Sequence, residues 1–302
     1  MPSVSELTHG LEGFMLTPRP GADVCRICFN LIEGYDVCWA CVHGGDRLDA
    51  VAPISYSVSG GPLHEMLADY KRTPGPQARA FEIRLAAVLS RYLTFHEQCI
   101  AHAASVERFD VVTTVPSSDR ARDLSHPLHR LVGQLTGPVR DRYRRLLRRS
   151  RAPVQLRQFD AERFEVRQEF EVLQGFERGA VLLVDDTWTT GASAQSAAAS
   201  LKAAGASTVA VVVIGRYLNG GWRRNRERLC ALPTPFRWER CALGHADPRP
   251  ATEAERGRGA GQAEPDPGRA AGAGADADAG RAEHGAGGAG PLAWRPCGGT
   301  TR

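Results

Sequence analysis

The chain has 302 residues, 42% of them hydrophobic and 24% charged, enough for one good-sized domain with accessory segments. Its net charge of +4 is modest and singles out no class of partner. No apolar run approaches the length of a membrane span, and MPSVSELTHG has no basic stretch followed by an apolar core, so neither insertion nor secretion is indicated and a cytoplasmic protein is expected. Eight Cys in that compartment point to thiols or metal ligands rather than disulfides.

Residues 1–22 read as an N-terminal tail. Four cysteines follow as Cys25-x2-Cys28 and Cys38-x2-Cys41, with nine residues between the pairs. Each C-x2-C turn presents two thiolates to one point, and two such turns close a tetrahedral S4 site suited to zinc. Four Cys leave no open coordination position, so the zinc is expected to be structural. Residues 23–45 are therefore a zinc knuckle, with Asn30, Gly34 and Asp36 in its tight turn. So short a ribbon has almost no core, and metal coordination has to supply its folding energy. A redox C-x2-C is the rival reading, but that motif comes alone and begins a helix after a strand.

The main domain is expected over residues 50–218. Val51 to Ser57, VAPISYS, alternate as a strand, and Gly60, Gly61 and Pro62 turn the chain into a helix whose one face carries Leu63, Met66, Leu67 and Tyr70. Lys71 and Arg72 end that helix, where basic residues complement the helix dipole. Ala80 to Leu93 is a second amphipathic helix. His96, Cys99 and His102 lie near its end at three-residue steps and, with no further ligand nearby in sequence, read as surface or packing residues. Phe109 to Val115 is the next strand, stopping in Pro116, Ser117 and Ser118 beside Arg120 and Arg122, which together offer donors to an anion. Pro127 suits the first turn of a helix HPLHRLVGQL. Arg140 to Arg151 is the most basic stretch, a solvated face or a phosphate-attracting patch, with only Tyr143 to stack on a nucleic-acid base.

Val181 to Ser193, VLLVDDTWTTGAS, organises the rest. Its apolar run has the pattern of a buried parallel strand in mid-sheet, and it ends in Asp185 and Asp186, which cannot be buried unpaired. Thr187, Thr189, Thr190, Gly191, Ala192 and Ser193 then make a hydroxyl-rich turn into an Ala-rich helix stopped by Gly205. A strand end, a hydroxyl loop and a helix N-terminus form an anion cradle in which Gly191 permits close approach, so a phosphate is the natural guest. Carboxylates beside it suit the vicinal hydroxyls of a ribose, or a divalent metal bridging to them, and the whole describes a ribose 5-phosphate site. No Lys follows the Gly as in a Walker A loop, and the spaced glycines of a dinucleotide fingerprint are missing. Thr208 to Gly215 is the next parallel strand. Residues 219–245 are an extension whose fold the sequence does not define; Cys230, Cys241 and His245 in it fit no usual metal spacing. Residues 246–302, rich in Ala, Gly, Arg, Asp and Pro, read as a disordered low-complexity tail.

The apolar run, paired acids and T-T-G loop resemble the phosphoribosyl diphosphate (PRPP) signature of type I phosphoribosyltransferases. The chain over residues 25–217 resembles the ComF family of competence-associated proteins, whose N-terminal four-cysteine zinc module is matched by Cys25, Cys28, Cys38 and Cys41. The resemblance implies an α/β fold, a type I phosphoribosyltransferase-like parallel sheet flanked by helices, with the ligand at the strands' carboxyl ends. It implies PRPP with Mg²⁺ as ligand and transfer of its phosphoribosyl group, a glycosyltransferase reaction, to an acceptor left open. Asp185 and Asp186 are then the catalytic acids holding the ribose hydroxyls, and Thr187 and Thr189 to Ser193 hold the 5-phosphate. Ser117 and Ser118 grip the diphosphate, which Lys71 reaches from its helix end. Arg163, with Gln155 and Phe170, belongs to a flap that closes over the ligand. The chain departs from the family where Pro-Ser-Ser and then Ser125, His126, Pro127 and Leu128 replace a Pro-Val-Pro end and an Arg-Gly-Phe-Asn block, and where Val166 stands near an expected Asn. The alternative reading is a non-catalytic accessory protein of DNA uptake, its knuckle and arginines contacting single-stranded DNA or a competence helicase.

Overall fold

A strand that is apolar on both faces has to be covered on both, and that requirement sets the architecture. The computed structural model describes residues 2–72, 75–117, 123, 125–150, 158–167, 179–232 and 236–244. Within them β1 (Ala50–Val58), β2 (Val111–Thr114), β5 (Ala180–Trp188) and β6 (Thr208–Leu218) form a parallel sheet in the order β1-β6-β5-β2. The register runs from Ala180 opposite Thr208 to Trp188 opposite Arg216 between β5 and β6, and from Val111 opposite Val181 to Thr114 opposite Val184 between β2 and β5.

Alternation along the strands sorts the core into two layers. Leu182, Val184, Ala210, Val212 and Ile214 pack with Leu67 and Tyr70 of α3 (Pro62–Arg72) and with Leu85, Leu89 and Tyr92 of α4 (Pro76–Ala103). Val181, Leu183, Val209, Val211 and Val213 pack with Ala194, Ala197, Ala198 and Leu201 of α6 (Ala192–Ala203). The small Ala side chains let α6 lie close on the sheet. The fold is thus α/β, a parallel sheet flanked by helices, with four cysteines clustered near its start.

Several expected boundaries move, each for a packing reason. The second helix of the domain spans Pro76–Ala103 rather than 80–93, started by Pro76 after Gly75, so His96, Cys99 and His102 lie inside it. The described residues of the N-terminal tail pack against the domain. Ser3 and Glu6 form a capping box on α1 (Val4–Thr8), Leu11 and Met15 are buried, and Leu16 exchanges backbone contacts with β1, accepting from Tyr56 N–H at 2.8 Å. That contact covers an edge of the sheet, and Arg144 N–H to Val112 C=O at 2.8 Å covers the other. The extension after residue 218 also folds, as α7 (Arg223–Ala231) and a segment whose Phe236 and Trp238 enter the core. Between the main strands, α2 (Trp39–His43) follows the cysteines, α5 (Pro127–Arg130) begins at Pro127 as expected, and β3 (Leu147–Arg149) pairs antiparallel with β4 (Phe164–Val166). Residues 246–302, with Ser118, Gln155 and Phe170, lie outside the described residues.

Among the described residues no helix is long and apolar enough to cross a membrane.

Candidate functional site

The knuckle is built from local turns. Cys25 N–H donates to Asn30 C=O at 2.8 Å and Arg26 N–H to Asp36 C=O at 3.0 Å, folding the segment between the cysteine pairs back on itself. Cys25, Cys28, Cys38 and Cys41 bring their sulfurs within 4.8 Å of one another, with Cys28 and Cys38 Sγ 3.6 Å apart. Four thiolates around a zinc at ~2.3 Å stand ~3.8 Å from each other, so the donor set fits zinc in kind and in spacing. Hydrogen bonds from Cys28, then Cys38 and Cys41, hold the Cys25 thiol below its usual pKa, while Cys25, Cys28 and Cys38 push Cys41 above it. The crowding resists a full set of thiolates unless a cation joins them.

Strand β5 does not stop at its acids but continues to Trp188, because Thr187 and Trp188 pair with Gly215 and Arg216 of β6. Asp185 and Asp186 therefore project from successive strand positions and meet different surroundings. Asp186 is 4% exposed and paired with Lys71, Nζ to Oδ1 at 2.6 Å, while the Tyr70 hydroxyl donates to Oδ2. Burial works to raise its pKa, but the Lys71 charge, His126 and the hydrogen bonds from Lys71 and Tyr70 outweigh that and hold the carboxyl below its usual range. Asp185 is half-buried and moves the other way, raised by burial first and by the Asp186 charge second. Two adjacent carboxyls are thus shifted in opposite directions, because only Asp186 has a cation and a hydroxyl donor against it.

Beyond Trp188 the chain turns through Thr189 and Thr190 to Gly191, which sits in the left-handed region at φ +85°. A Cβ there would lie 2.1 Å from Trp188 Cζ2, so the turn closes directly on the indole and only Gly fits. Trp188 fills the inner side of the turn while Thr189 remains exposed on the outer side. No side chain caps α6 at Gly191; Thr190 Oγ1 accepts from Ala192 N–H at 3.3 Å. Ser193 Oγ, in the first turn, accepts from Arg163 Nη1 at 3.0 Å. That guanidinium is 1% exposed and reaches the loop from the β4 side, so the structure brings Arg163 and Ser193 together.

Ser117 follows the carboxyl end of β2, which lies beside β5 with Val115 N–H donating to Val184 C=O at 3.1 Å. Its own N–H is held by Asp123 Oδ1 at 3.0 Å. Lys71 stands at the end of α3 on Asp186 rather than free in solvent, a more specific position than a dipole-complementing residue needs. Three residues missed in the sequence join this end of the sheet: Tyr70, His126 and Arg216. Tyr70 carried a signal, since a hydroxyl at the end of a buried helical stripe has to find a partner.

Arg216, 3% exposed, ties the two centres together. It donates to Cys28 C=O at 2.9 Å and Cys28 Sγ at 3.5 Å, and on the other side to the carbonyls of Trp188 at 3.2 Å and Thr189 at 3.1 Å. In the arginine-rich stretch, by contrast, three described arginines face carboxylates of this chain: Arg142 with Glu97 at 2.7 Å, Arg145 with Asp123 at 2.7 Å and Arg148 with Glu165 at 3.0 Å. Cys230 is disulfide-bonded, contrary to the expectation of free thiols. Two clefts, of 430 and 550 Å³, lie by α1 and α4 and by the knuckle, and neither is lined by the acids or the glycine turn.

A scan against protein-family models finds no family that matches this chain, and a search of curated proteins finds no matching relative.

Proposed function

We propose that the chain is a type I phosphoribosyltransferase-like protein of the ComF kind, binding PRPP with Mg²⁺ and transferring its phosphoribosyl group. The observation that carries this reading is the strand end itself: an acid pair on β5, one buried and one half-buried, a left-handed Gly191 turn and the uncapped start of α6, with the end of β2 alongside. Backbone N–H groups at a helix start and exposed hydroxyls suit a phosphate, while carboxylates suit sugar hydroxyls.

Departure of diphosphate leaves positive charge on the ribose carbon, so the residues' work is to hold sugar and leaving group in line and to shelter that charge. Asp185 and Asp186 would hold the ribose hydroxyls, Thr187 and Thr189 to Ser193 the 5-phosphate, and Ser117 and Ser118 the diphosphate. Lys71, already beside the acids, is the cation a diphosphate would draw away from Asp186. Mg²⁺ would neutralise the leaving group; among the chain's own oxygens, those of Asp185, which meets backbone N–H groups rather than a cation, suit it best.

Calorimetric titration of PRPP with Mg²⁺ tests this. The wild type is expected to bind, and Asp185→Asn with Asp186→Asn to bind at least about tenfold more weakly. A wild type that takes up no PRPP ends the proposal. Diphosphate release over a panel of bases and amines would then define the acceptor. The DNA-uptake reading draws less support, since Arg142, Arg145 and Arg148 already neutralise carboxylates of this chain.

A further inference from the structure

Away from the sheet's carboxyl ends, α4 and the segment after residue 235 meet in a buried cluster of soft donors. His96 Nδ1, Cys99 Sγ and Cys241 Sγ lie within 4.8 Å of one another, although Cys241 is 142 residues beyond Cys99 in the chain. His96 and Cys99 are one helical turn apart on α4, their donor atoms separated by 3.7 Å. Nitrogen and sulfur bound to one zinc stand ~3.5 Å apart, close to this spacing.

The protonation of the imidazole follows from its other contact. His96 Nε2 is 2.6 Å from the Trp238 carbonyl oxygen, which can only accept, so Nε2 carries the hydrogen and donates it. Nδ1 is then the acceptor, with Cys99 Sγ 3.7 Å from it. A ring nitrogen fixed by a backbone carbonyl while the opposite nitrogen is left free is the usual support of a metal-bound histidine. Cys241 is held in place by its own loop: Gly244 N–H donates to its Sγ at 3.2 Å. Tyr92 closes the cluster on one side: it is 0% exposed, its ring centroid is 4.8 Å from that of His96, and its hydroxyl faces Cys241 and Cys99.

We propose that His96, Cys99 and Cys241 form a second metal site, of the Cys2His type and suited to zinc, with the buried Tyr92 hydroxyl beside its two sulfurs. The site staples the C-terminal segment to α4. That segment brings Phe236 and Trp238 into the core; Trp238 receives the Arg91 guanidinium over its ring at 4.6 Å and donates to Glu12 at 2.5 Å. One ion therefore fixes the place where both ends of the folded region meet α4. The four-cysteine knuckle shares no ligand with it.

Metal content of the full-length chain, purified under reducing conditions and measured by native and elemental mass spectrometry, decides the matter. The wild type is expected to hold about two zinc ions per chain, Cys99→Ser about one, and the Cys25→Ser, Cys28→Ser double variant about one, the ion of this second site. Cobalt(II) replaces zinc as a probe that needs no stable variant: Tyr92→Phe should keep the stoichiometry while shifting the visible bands, and Cys99→His should restore the ion lost in Cys99→Ser. A wild type with a single zinc that Cys99→Ser leaves untouched overturns the proposal. So does a Cys99–Cys241 disulfide in the reduced, metal-replete wild type.

Discussion

The knuckle and the acid-bearing strand end are built by opposite routes. The knuckle's ligands come from one short stretch, and the backbone bonds that shape it, Cys25 to Asn30 and Arg26 to Asp36, stay inside that stretch, with Tyr56, Arg216 and Arg228 donating into it from the domain. The strand end gathers Lys71 onto Asp186 across 115 residues of chain and Tyr70 across 116, and it depends on the sheet to hold them. A local site with almost no core collapses when its metal leaves. A site assembled by the sheet persists through local damage and fails through its buried contacts. Arg216 belongs to both.

The largest effect should come from zinc. Structural zinc is worth about 10–16 kcal/mol of apparent binding free energy in small modules, so chelation is expected to unfold residues 23–45 while the sheet stays folded. Hydrogen exchange checks this: fast exchange confined to the knuckle is the expected result, and unchanged protection there would break the contrast. Next comes Arg216→Met, which strips the Cys28, Trp188 and Thr189 carbonyls of their donor at about 3 kcal/mol. Denaturant unfolding measures the loss, and looser exchange is expected on both sides of Arg216; loosening on one side alone would deny that it couples them. Gly191→Val combines a backbone outside its comfortable region with a clash on Trp188, for about 2–3 kcal/mol and a weakened affinity for PRPP. Normal affinity in that variant would show that the turn does not hold the phosphate.

The smallest effect separates the two acids by sign. Asp186 has a depressed pKa, so its contribution is full above the ordinary carboxylate range and is lost as pH falls through its folded value. Asp185 has a raised pKa, so the folded form favours the proton and stability is lost as pH rises from the ordinary carboxylate range through its folded value. At neutral pH Asp186→Asn is expected to destabilise by about 2 kcal/mol, and Asp185→Asn to stabilise by under about 1 kcal/mol, the gain reduced by partial exposure to solvent. Thermal melts from acid to neutral pH should show both differences shrinking toward the acid end. Shifts of the same sign would remove the distinction between the two acids.

Much of this was legible in residue order, because the relevant physics is short-ranged. The strand from Val181, the helix face of Leu63, Met66, Leu67 and Tyr70, and the Pro127 start each rest on alternation, helical spacing or fixed proline geometry, and each appears where expected. The reading failed where an element's fate depended on what it packs against. Residues 1–22 hold one capping box and a few apolar side chains, and only α4 and the β1 edge make them part of the core. His96 and Cys99 look like lone residues at helical spacing until Cys241 arrives beside them.

The sequence by itself determined the local facts: which runs are apolar on both faces, where the two C-x2-C turns aim their sulfurs, and where glycine permits a sharp turn beside an acid pair. Periodicity and covalent spacing act over a few residues, so one-dimensional order suffices for them. Only the tertiary structure decided that Asp186 is paired with Lys71 while burial pushes the Asp185 pKa the other way, that Arg216 joins knuckle to loop, and that Cys241 closes on α4. Burial and electrostatic partnership depend on distance through space, and for these groups the nearest neighbours in space are remote in the chain.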